Sequence, residues 1–220
     1  MRRVLVLRPE PGASATTERA RRRGLDAVAV ALFKIEPVAW RVPAAASFDG
    51  LLLTSANAVR HGGAGLQSLR QLPVFAVGEA TAQAARDAGF VIAASGGAGI
   101  DELLASIEGD LRLLHLTGED RREPAGSAQR VAPIIVYRAK PVAAPDLDNL
   151  KGCVALIHSP RAGGRFAELV EDRATISIAA ISPAAAEASG TGWKAVEAAE
   201  RPDDDALLAL AERLCNNLPR

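Results

Sequence analysis

The sequence predicts an α/β protein built from two doubly wound parallel sheets. Short apolar runs such as RVLVL, which begins at Arg3, and GLLLT, which begins at Gly50, alternate with Ala-rich stretches of helical character. Strands that are apolar along their whole length are buried on both faces, which is typical of a parallel sheet covered by helices. About ten strands are expected in 220 residues, which favours two sheets of about five strands over a single sheet.

An internal repeat supports the division into two sheets. After Asp49 the chain reads LLLTSANAVR, VFAVGEATAQAA and FVIAA, and after Gly152 it reads CVALIHSPRAGG, IAAISPAAAEA and KAVEAA. The next two segments of the first series, LLHLTGEDRRE and IIVYRAKP, have their counterparts at the front of the chain, in VLVLRPEPGAS and VAVALFKIEP. The repeat therefore indicates that both ends of the chain build one domain and that the middle builds the other.

We place the domain boundaries where the segments of one series end and those of the other begin. Residues 1–37 and 142–220 are predicted to form domain 1, and residues 40–137 are predicted to form domain 2, inserted within it. The chain would cross between them near Lys34–Val38 and again near Tyr137–Val142. We therefore expect two flavodoxin-like domains joined by a two-stranded hinge, with a cleft between them.

The charge balance and the cysteine content argue against several classes of protein. Lys and Arg number 26, as do Asp and Glu, so no net field favours nucleic acid or a membrane surface as a partner. Cys153 and Cys215 lack metal spacing, which favours a reducing compartment without disulfides. The apolar run Val4–Leu7 is too short for a signal peptide, and no later run could span a bilayer. We expect a cytoplasmic protein.

Polar residues and glycines follow many of the predicted strands. In an open parallel sheet, ligands bind beyond the carboxyl ends of the strands, where the following helices present free N–H groups to carboxylates or phosphates. The residues in these turns are Arg8, Thr54, Ser55, Gly78, Thr117, Gly118, Ser159 and Ser182. Alternatively, the three serines are only helix N-caps, with Pro160 and Pro183 in the first helical position after two of them. The two roles are compatible.

The sequence suggests no cofactor or metal. SGTGWKA, residues 189–195, fits a dinucleotide fingerprint, but it follows a predicted helix and precedes a predicted strand, so we interpret it as a turn. His61, His115 and His158 have no metal spacing among themselves, and the last two are interpreted as structural because they lie at strand ends.

The motifs, taken in order, resemble the uroporphyrinogen-III synthase family over nearly the whole chain. The similar segments are VLVLRPEPGA, FDGLLLTSANAVR, PVFAVGEATAQAARDAGF, LTGEDRRE, VYRAKP, ALIHSPRAGGRF and IAAISPAAAEA. The resemblance implies two α/β domains that bind a linear tetrapyrrole between them. It also implies a cofactor-free reaction, in which hydroxymethylbilane loses water and closes to uroporphyrinogen III with inversion of the last ring.

The resemblance also assigns roles by position. Tyr137 of VYRA corresponds to the candidate proton donor to the leaving hydroxyl group. Hydroxyl groups and arginines that would contact the substrate are carried over to Ser55, Thr81, Ser159, Arg8 and Arg122. The further substrate-binding residues that we predict are Thr54, Asn57, Gly78, Thr117, Gly118, Arg161 and Ser182.

The sequence departs from the family pattern in two places. Ser182 stands where the family usually has Gly, and Ala184-Ala185 stand where it often has Thr. The segment from Arg122 to Tyr137 is short, and REPAGSAQR is a poor helix, so domain 2 is expected to lack a helix on one face. These departures support an alternative function, a non-catalytic two-domain binding protein for an anionic small molecule. In either case we expect a monomer.

Overall fold

Eleven strands alternate with seven α-helices in residues 2–97, 99–121 and 123–216, which are the residues that this computed structural model describes. The strands are β1 (Arg3–Val6), β2 (Asp26–Ala29), β3 (Phe33–Pro37), β4 (Gly50–Leu53), β5 (Val74–Val77), β6 (Ile92–Gly96), β7 (Arg112–Gly118), β8 (Arg130–Pro141), β9 (Val154–Ile157), β10 (Ser177–Ala180) and β11 (Ala195–Ala198). The helices are α1 (Gly12–Arg22), α2 (Ala56–His61), α3 (Glu79–Asp87), α4 (Ile100–Ala105), α5 (Pro160–Leu169), α6 (Pro183–Ala188) and α7 (Asp204–Asn216).

The strands form two sheets. The first sheet has the order β11-β10-β9-β1-β2, and the second has the order β3-β8-β7-β4-β5-β6. Within the first sheet all neighbouring strands are parallel, as are the neighbours from β8 to β6 in the second. The predicted α/β class with two parallel sheets is therefore confirmed.

The strand order also agrees with the sequence repeat. The repeat pairs β4, β5, β6, β7 and β8 with β9, β10, β11, β1 and β2, and each pair occupies the same place in its sheet. Numbered in the order β1, β2, β9, β10, β11, the first sheet has the flavodoxin-like order 2-1-3-4-5. The second sheet has the same order when it is numbered from β7, with β3 added at its edge.

The chain divides into two compact units. One consists of Met1–Lys34 and Pro141–Arg220, and the other of Ile35–Lys140. The divisions fall within β3 and β8, so these two strands carry the chain from one unit to the other. The assignment of residues 1–37 with 142–220 and of residues 40–137 to domains stays a prediction, as does the cleft.

The core of the first unit is formed by its strands and the helices that cover them. The strand residues Val4 and Val154 pack with Leu207 and Leu208 of α7, all fully buried. An aromatic contact involves α5, where the buried Phe166 ring stacks on Trp193 with centroids 5.3 Å apart. Burial of these large side chains is the main stabilising term for the unit.

The glycine-rich segment at 189–195 is the turn that the sequence analysis expects. It leads from α6 to β11, and Gly190 and Gly192 have φ values of 70° and 90°, which favour glycine. Trp193 Nε1 donates to Ser189 O at 2.8 Å. The segment is thus part of the packing of this unit rather than a dinucleotide fingerprint.

The second unit has no helix between β7 and β8 in the described residues of that connection, 119–121 and 123–129. Instead, Ala125 N donates to Asp101 Oδ1 at 2.8 Å, and Gln129 Nε2 donates to Ile107 O at 2.9 Å. A pocket of about 230 Å³ remains beside the connection, and its lining includes His115 and Val131. Pro124 and Gly126 disfavour a helix in this segment, so the expectation of a missing helix is confirmed.

Candidate functional site

The second unit brings several predicted site residues to one edge of its sheet. Thr54 and Ser55 follow β4, Gly78 follows β5, and Thr117 and Gly118 end β7, and these three strands are neighbours. Because the strands are parallel, their carboxyl ends meet at the same edge. The residues that the sequence places on separate turns therefore lie along one edge of the sheet. This is the edge at which ligands bind in open parallel sheets.

Ser55 has the N-cap role that the sequence left open. Its Oγ accepts a hydrogen bond from Asn57 N at 3.2 Å at the start of α2. A serine hydroxyl that accepts from the backbone keeps its own proton to donate, so capping leaves Ser55 able to bind an anion. Asn57, in the first turn of α2, is also partly exposed.

Thr54 is engaged by a buried histidine. Thr54 Oγ1 lies 3.1 Å from His115 Nε2, and His115 is 2% exposed. Burial lowers the pKa of His115 to about 4, with a smaller contribution from the charge of Arg121. The imidazole is neutral near pH 7 and serves to hold Thr54 in place, which agrees with its interpretation as structural. His115 lies in the middle of β7, however, and not at a strand end as the sequence analysis predicts.

His115 gives the fold a pH dependence with a definite sign. The unfolded chain takes up a proton on this residue near pH 6.5, whereas the folded protein takes it up only near pH 4. We expect its contribution to stability to fall as the pH drops through that window, by about 1.4 kcal/mol per pH unit and about 3 kcal/mol in all. Urea unfolding from pH 7 to pH 4 should show a flatter profile for His115→Gln, and an unchanged profile would contradict the assignment.

Two predicted hydroxyl groups of this unit are buried. Thr81 is 5% exposed in α3, and Thr117 is 2% exposed in β7. Thr117 Oγ1 lies 3.4 Å from Gly118 O, which is a long hydrogen bond. Gly78, with φ at 82°, begins the turn into α3, where its carbonyl oxygen accepts from Thr81 N at 3.1 Å. Both threonine side chains are therefore largely enclosed at this edge of the sheet.

Tyr137 lies beside Gly118 at the same edge. The two residues are partners in the β7–β8 pairing, at a register shift. A Cβ on Gly118 would lie 2.7 Å from two carbons of the Tyr137 ring. Only glycine at this position therefore leaves room for the ring. The His61 ring lies 6.4 Å away, tilted by 40°. The phenol is therefore partly buried between glycine and imidazole neighbours. Arg122, which the resemblance also implicates, lies outside the described residues.

The first unit has its own set of strand-end residues. Ser159 Oγ accepts from Ala162 N at 3.2 Å, and Ser182 Oγ accepts from Ala185 N at 3.3 Å, so both serines are N-caps. Their helices begin with Pro160 and Pro183, as the alternative interpretation predicted. In the first turn of α5, the Arg161 guanidinium lies 4.5 Å from the centre of the Phe33 ring. This cation–π contact fixes part of the Arg161 side chain.

Arg8 is bound to a carboxylate that the sequence analysis missed. Arg8 Nη1 donates to Asp204 Oδ1 at 3.2 Å, and Thr16 Oγ1 donates to Asp204 Oδ2 at 2.6 Å. Arg19 Nη2 also donates to Oδ2, and His158 Nε2 lies 3.2 Å from Oδ1. The Asp204 side chain is only 10% exposed, so it is a largely enclosed acceptor at the centre of four donors.

Electrostatics fix the protonation states in this cluster. Burial by itself would raise the pKa of Asp204, but hydrogen bonds from His158 and Thr16, together with nearby positive charge, hold that pKa well below its usual range. Burial also lowers the pKa of His158, against the opposing effect of Asp204. His158 is therefore neutral near pH 7, and since a carboxylate only accepts, its Nε2 carries the proton.

No helix in the part of the chain that the structure describes is long and apolar enough to cross a membrane. The same residues contain no group of three or more His, Cys, Asp or Glu that could hold a metal ion.

Comparison with known proteins decides the family. The profile of the family described as uroporphyrinogen-III synthase HemD matches residues 14–209. The chain belongs to the uroporphyrinogen-III synthase family. The resemblance found in the sequence motifs is thereby confirmed, and the family is one of cyclising lyases of porphyrin biosynthesis.

Solved structures of the family share the fold. The uroporphyrinogen-III synthetase of Helicobacter pylori 26695 is 18% identical with a TM-score of 0.69, and the alignment covers 97% of this chain and 100% of that one. A mutant uroporphyrinogen III synthase of the extremely thermophilic bacterium Thermus thermophilus is 19% identical with a TM-score of 0.54, covering 99% and 100%. At these identities the likeness shows the fold. A search of curated proteins gives no significant match.

Proposed function

We propose that the chain cyclises hydroxymethylbilane to uroporphyrinogen III, with loss of water and inversion of ring D. The family match over residues 14–209 is the observation that carries this function. It is supported by the donors along the carboxyl edges of both sheets, which suit a substrate with many carboxylates.

The reaction demands little from the protein beyond acid assistance and control of shape. The terminal hydroxyl group takes a proton and leaves as water, giving an azafulvene. Ring D then attacks through its substituted carbon to give a spiro-pyrrolenine, which fragments and recloses in the inverted sense. Because the open chain is flexible, holding it in the curled conformation supplies much of the catalysis.

We assign the proton donor role to Tyr137. Its ring is held by close packing on Gly118, so its phenol is presented in a defined place. We assign contacts with substrate carboxylates to donors of each unit. Those of the first unit are Arg8, Ser159, Arg161 and Ser182, and those of the second unit are Thr54, Ser55, Asn57, Arg122, Thr81, Thr117 and the backbone of Gly78 and Gly118.

The isomer formed from fresh hydroxymethylbilane tests the function. The purified protein should convert it to uroporphyrinogen III faster than the spontaneous closure to isomer I, as resolved by chromatography of the oxidised products. Isomer I alone would overturn the proposal, and thermal stabilisation by tetrapyrroles without turnover would instead support a binding protein. We further propose that the protein acts as a monomer in the cytoplasm, with no nucleic acid or membrane partner and no cofactor.

A further inference from the structure

We propose that Asp204 is a positioning residue whose largely enclosed carboxylate holds the Arg8 guanidinium at the carboxyl edge of β1, where that guanidinium meets a substrate carboxylate. The inference rests on the proposed function, because it concerns how this chain binds the polycarboxylate substrate. It assigns a specific task to an acidic residue near the C-terminal end of the described chain.

The hydrogen bonds show how Asp204 fixes Arg8. Arg8 Nη1 contacts Asp204 Oδ1 and Thr16 Oγ1, both at 3.2 Å. Asp204 is itself fixed by Thr16, which is fully buried, and by His158, whose side chain is 7% exposed. The Arg8 side chain is 34% exposed, against 10% for Asp204. The arginine is thus held at Nη1, while about a third of its side chain stays exposed to solvent.

The backbone at the start of α1 also packs against the Arg8 guanidinium. A Cβ on Gly12 would lie 2.5 Å from Arg8 Nε, 2.7 Å from Cζ and 2.9 Å from Nη2. The guanidinium therefore lies directly against the first residue of α1, and only glycine leaves room for it there. Gly12 and Asp204 confine Arg8 from two independent sides.

The charges leave Arg8 able to bind an anion. Asp204 receives donors from two arginines, Arg8 and Arg19, and the neutral His158 adds no charge. One carboxylate against two guanidinium groups leaves about one positive charge in the cluster. A substrate carboxylate that reaches the exposed part of the Arg8 side chain would balance that charge in a charge-assisted hydrogen bond.

A double-mutant cycle between Arg8 and Asp204 tests the role. Asp204→Asn keeps the shape of the side chain and removes its charge, and we expect it to raise KM for hydroxymethylbilane about tenfold, with a smaller change in kcat. In an Arg8→Ala background the same change should alter KM by less than about twofold, because the group that Asp204 positions is gone. A purely structural role for Asp204 would instead raise KM by the same factor in both backgrounds and would overturn the proposal.

Two further variants keep the test decisive. Asp205→Asn makes the same chemical change one residue later, on a side chain that is 67% exposed and pairs with Arg23, and it should leave KM unchanged. Gly12→Ala leaves Asp204 and Arg8 chemically unchanged but displaces the Arg8 guanidinium. It should raise KM as Asp204→Asn does, even where the latter folds poorly. An unchanged KM in Gly12→Ala would overturn the proposal. A wild-type chain that forms no uroporphyrinogen III would overturn the proposed function, and this role with it, whereas an active wild type with additive effects overturns only the role of Asp204.

Discussion

Tyr137→Phe should lower kcat about 10²- to 10⁴-fold while changing KM and stability little. The substitution removes only the phenol oxygen, and positioned general acids contribute about that factor to a reaction rate. The ring that remains keeps its packing on Gly118 and its neighbour His61. The loss of rate should therefore report the proton donated to the leaving hydroxyl group. Single-turnover measurement of uroporphyrinogen III formation gives the rate directly.

Gly118→Ala is the matched control for Tyr137→Phe. It keeps the phenol but forces the ring away, since the added Cβ would lie 2.7 Å from two ring carbons. We expect it to lower kcat and also to lower the unfolding free energy, whereas Tyr137→Phe should leave the unfolding free energy nearly unchanged. Wild-type turnover in Tyr137→Phe would remove Tyr137 from the catalytic step.

Phe166→Ala should lower the free energy of unfolding by about 3–5 kcal/mol. Phe166 is fully buried, and its ring stacks on Trp193 with an angle of 5° between the planes. The Arg173 guanidinium lies 5.0 Å from the Trp193 ring. The cavity left by the Phe166 ring would therefore remove the packing partner of a Trp193 ring that Arg173 also contacts. Since domains of this size are stable by only about 5–15 kcal/mol, the change should remove much of the stability of the first unit. Equilibrium unfolding in urea, followed by tryptophan fluorescence, measures it.

Phe166→Leu and Val91→Ala are the controls that distinguish the cost of a buried cavity from the cost of removing apolar side-chain atoms. Leucine fills part of the space and should cost clearly less than alanine. Val91 is 70% exposed, and its truncation should change the unfolding free energy by less than about 0.5 kcal/mol. A loss below about 1 kcal/mol in Phe166→Ala would show that the stacked pair contributes little to the unit.

The fold could be predicted because its signals are local and repeated. Apolar runs such as Leu51–Leu53 read directly as buried strands, and the repeat gave each strand of one sheet a counterpart in the other. That the described residues between β7 and β8 form no helix followed from Pro124 and Gly126. In each case the residues that determine the local structure are neighbours in the sequence, so the pattern can be recognised without the fold.

The Asp204 cluster could not be predicted, because its members are distant in sequence. Three aspartates begin the last helix, and sequence alone does not tell which of them turns inward. Asp203 Oδ1 accepts from Ala206 N as a cap, and Asp205 pairs with Arg23 at the surface. Only the packing of α7 beside α1 brings Asp204 to Arg8.

The arrangement of the two sheets has a consequence for synthesis on the ribosome. Every strand of the second sheet has been synthesised once Pro141 has been translated, but Val4 of β1 must wait for its partner Val154, and α1 must wait for α7. The inserted unit can therefore fold while the earlier-made segment is still exposed, since domains fold as they become complete. Until β9 is made, the oldest part of the nascent chain can pair only β1 with β2, and we expect it to be the segment that chaperones and proteases meet first.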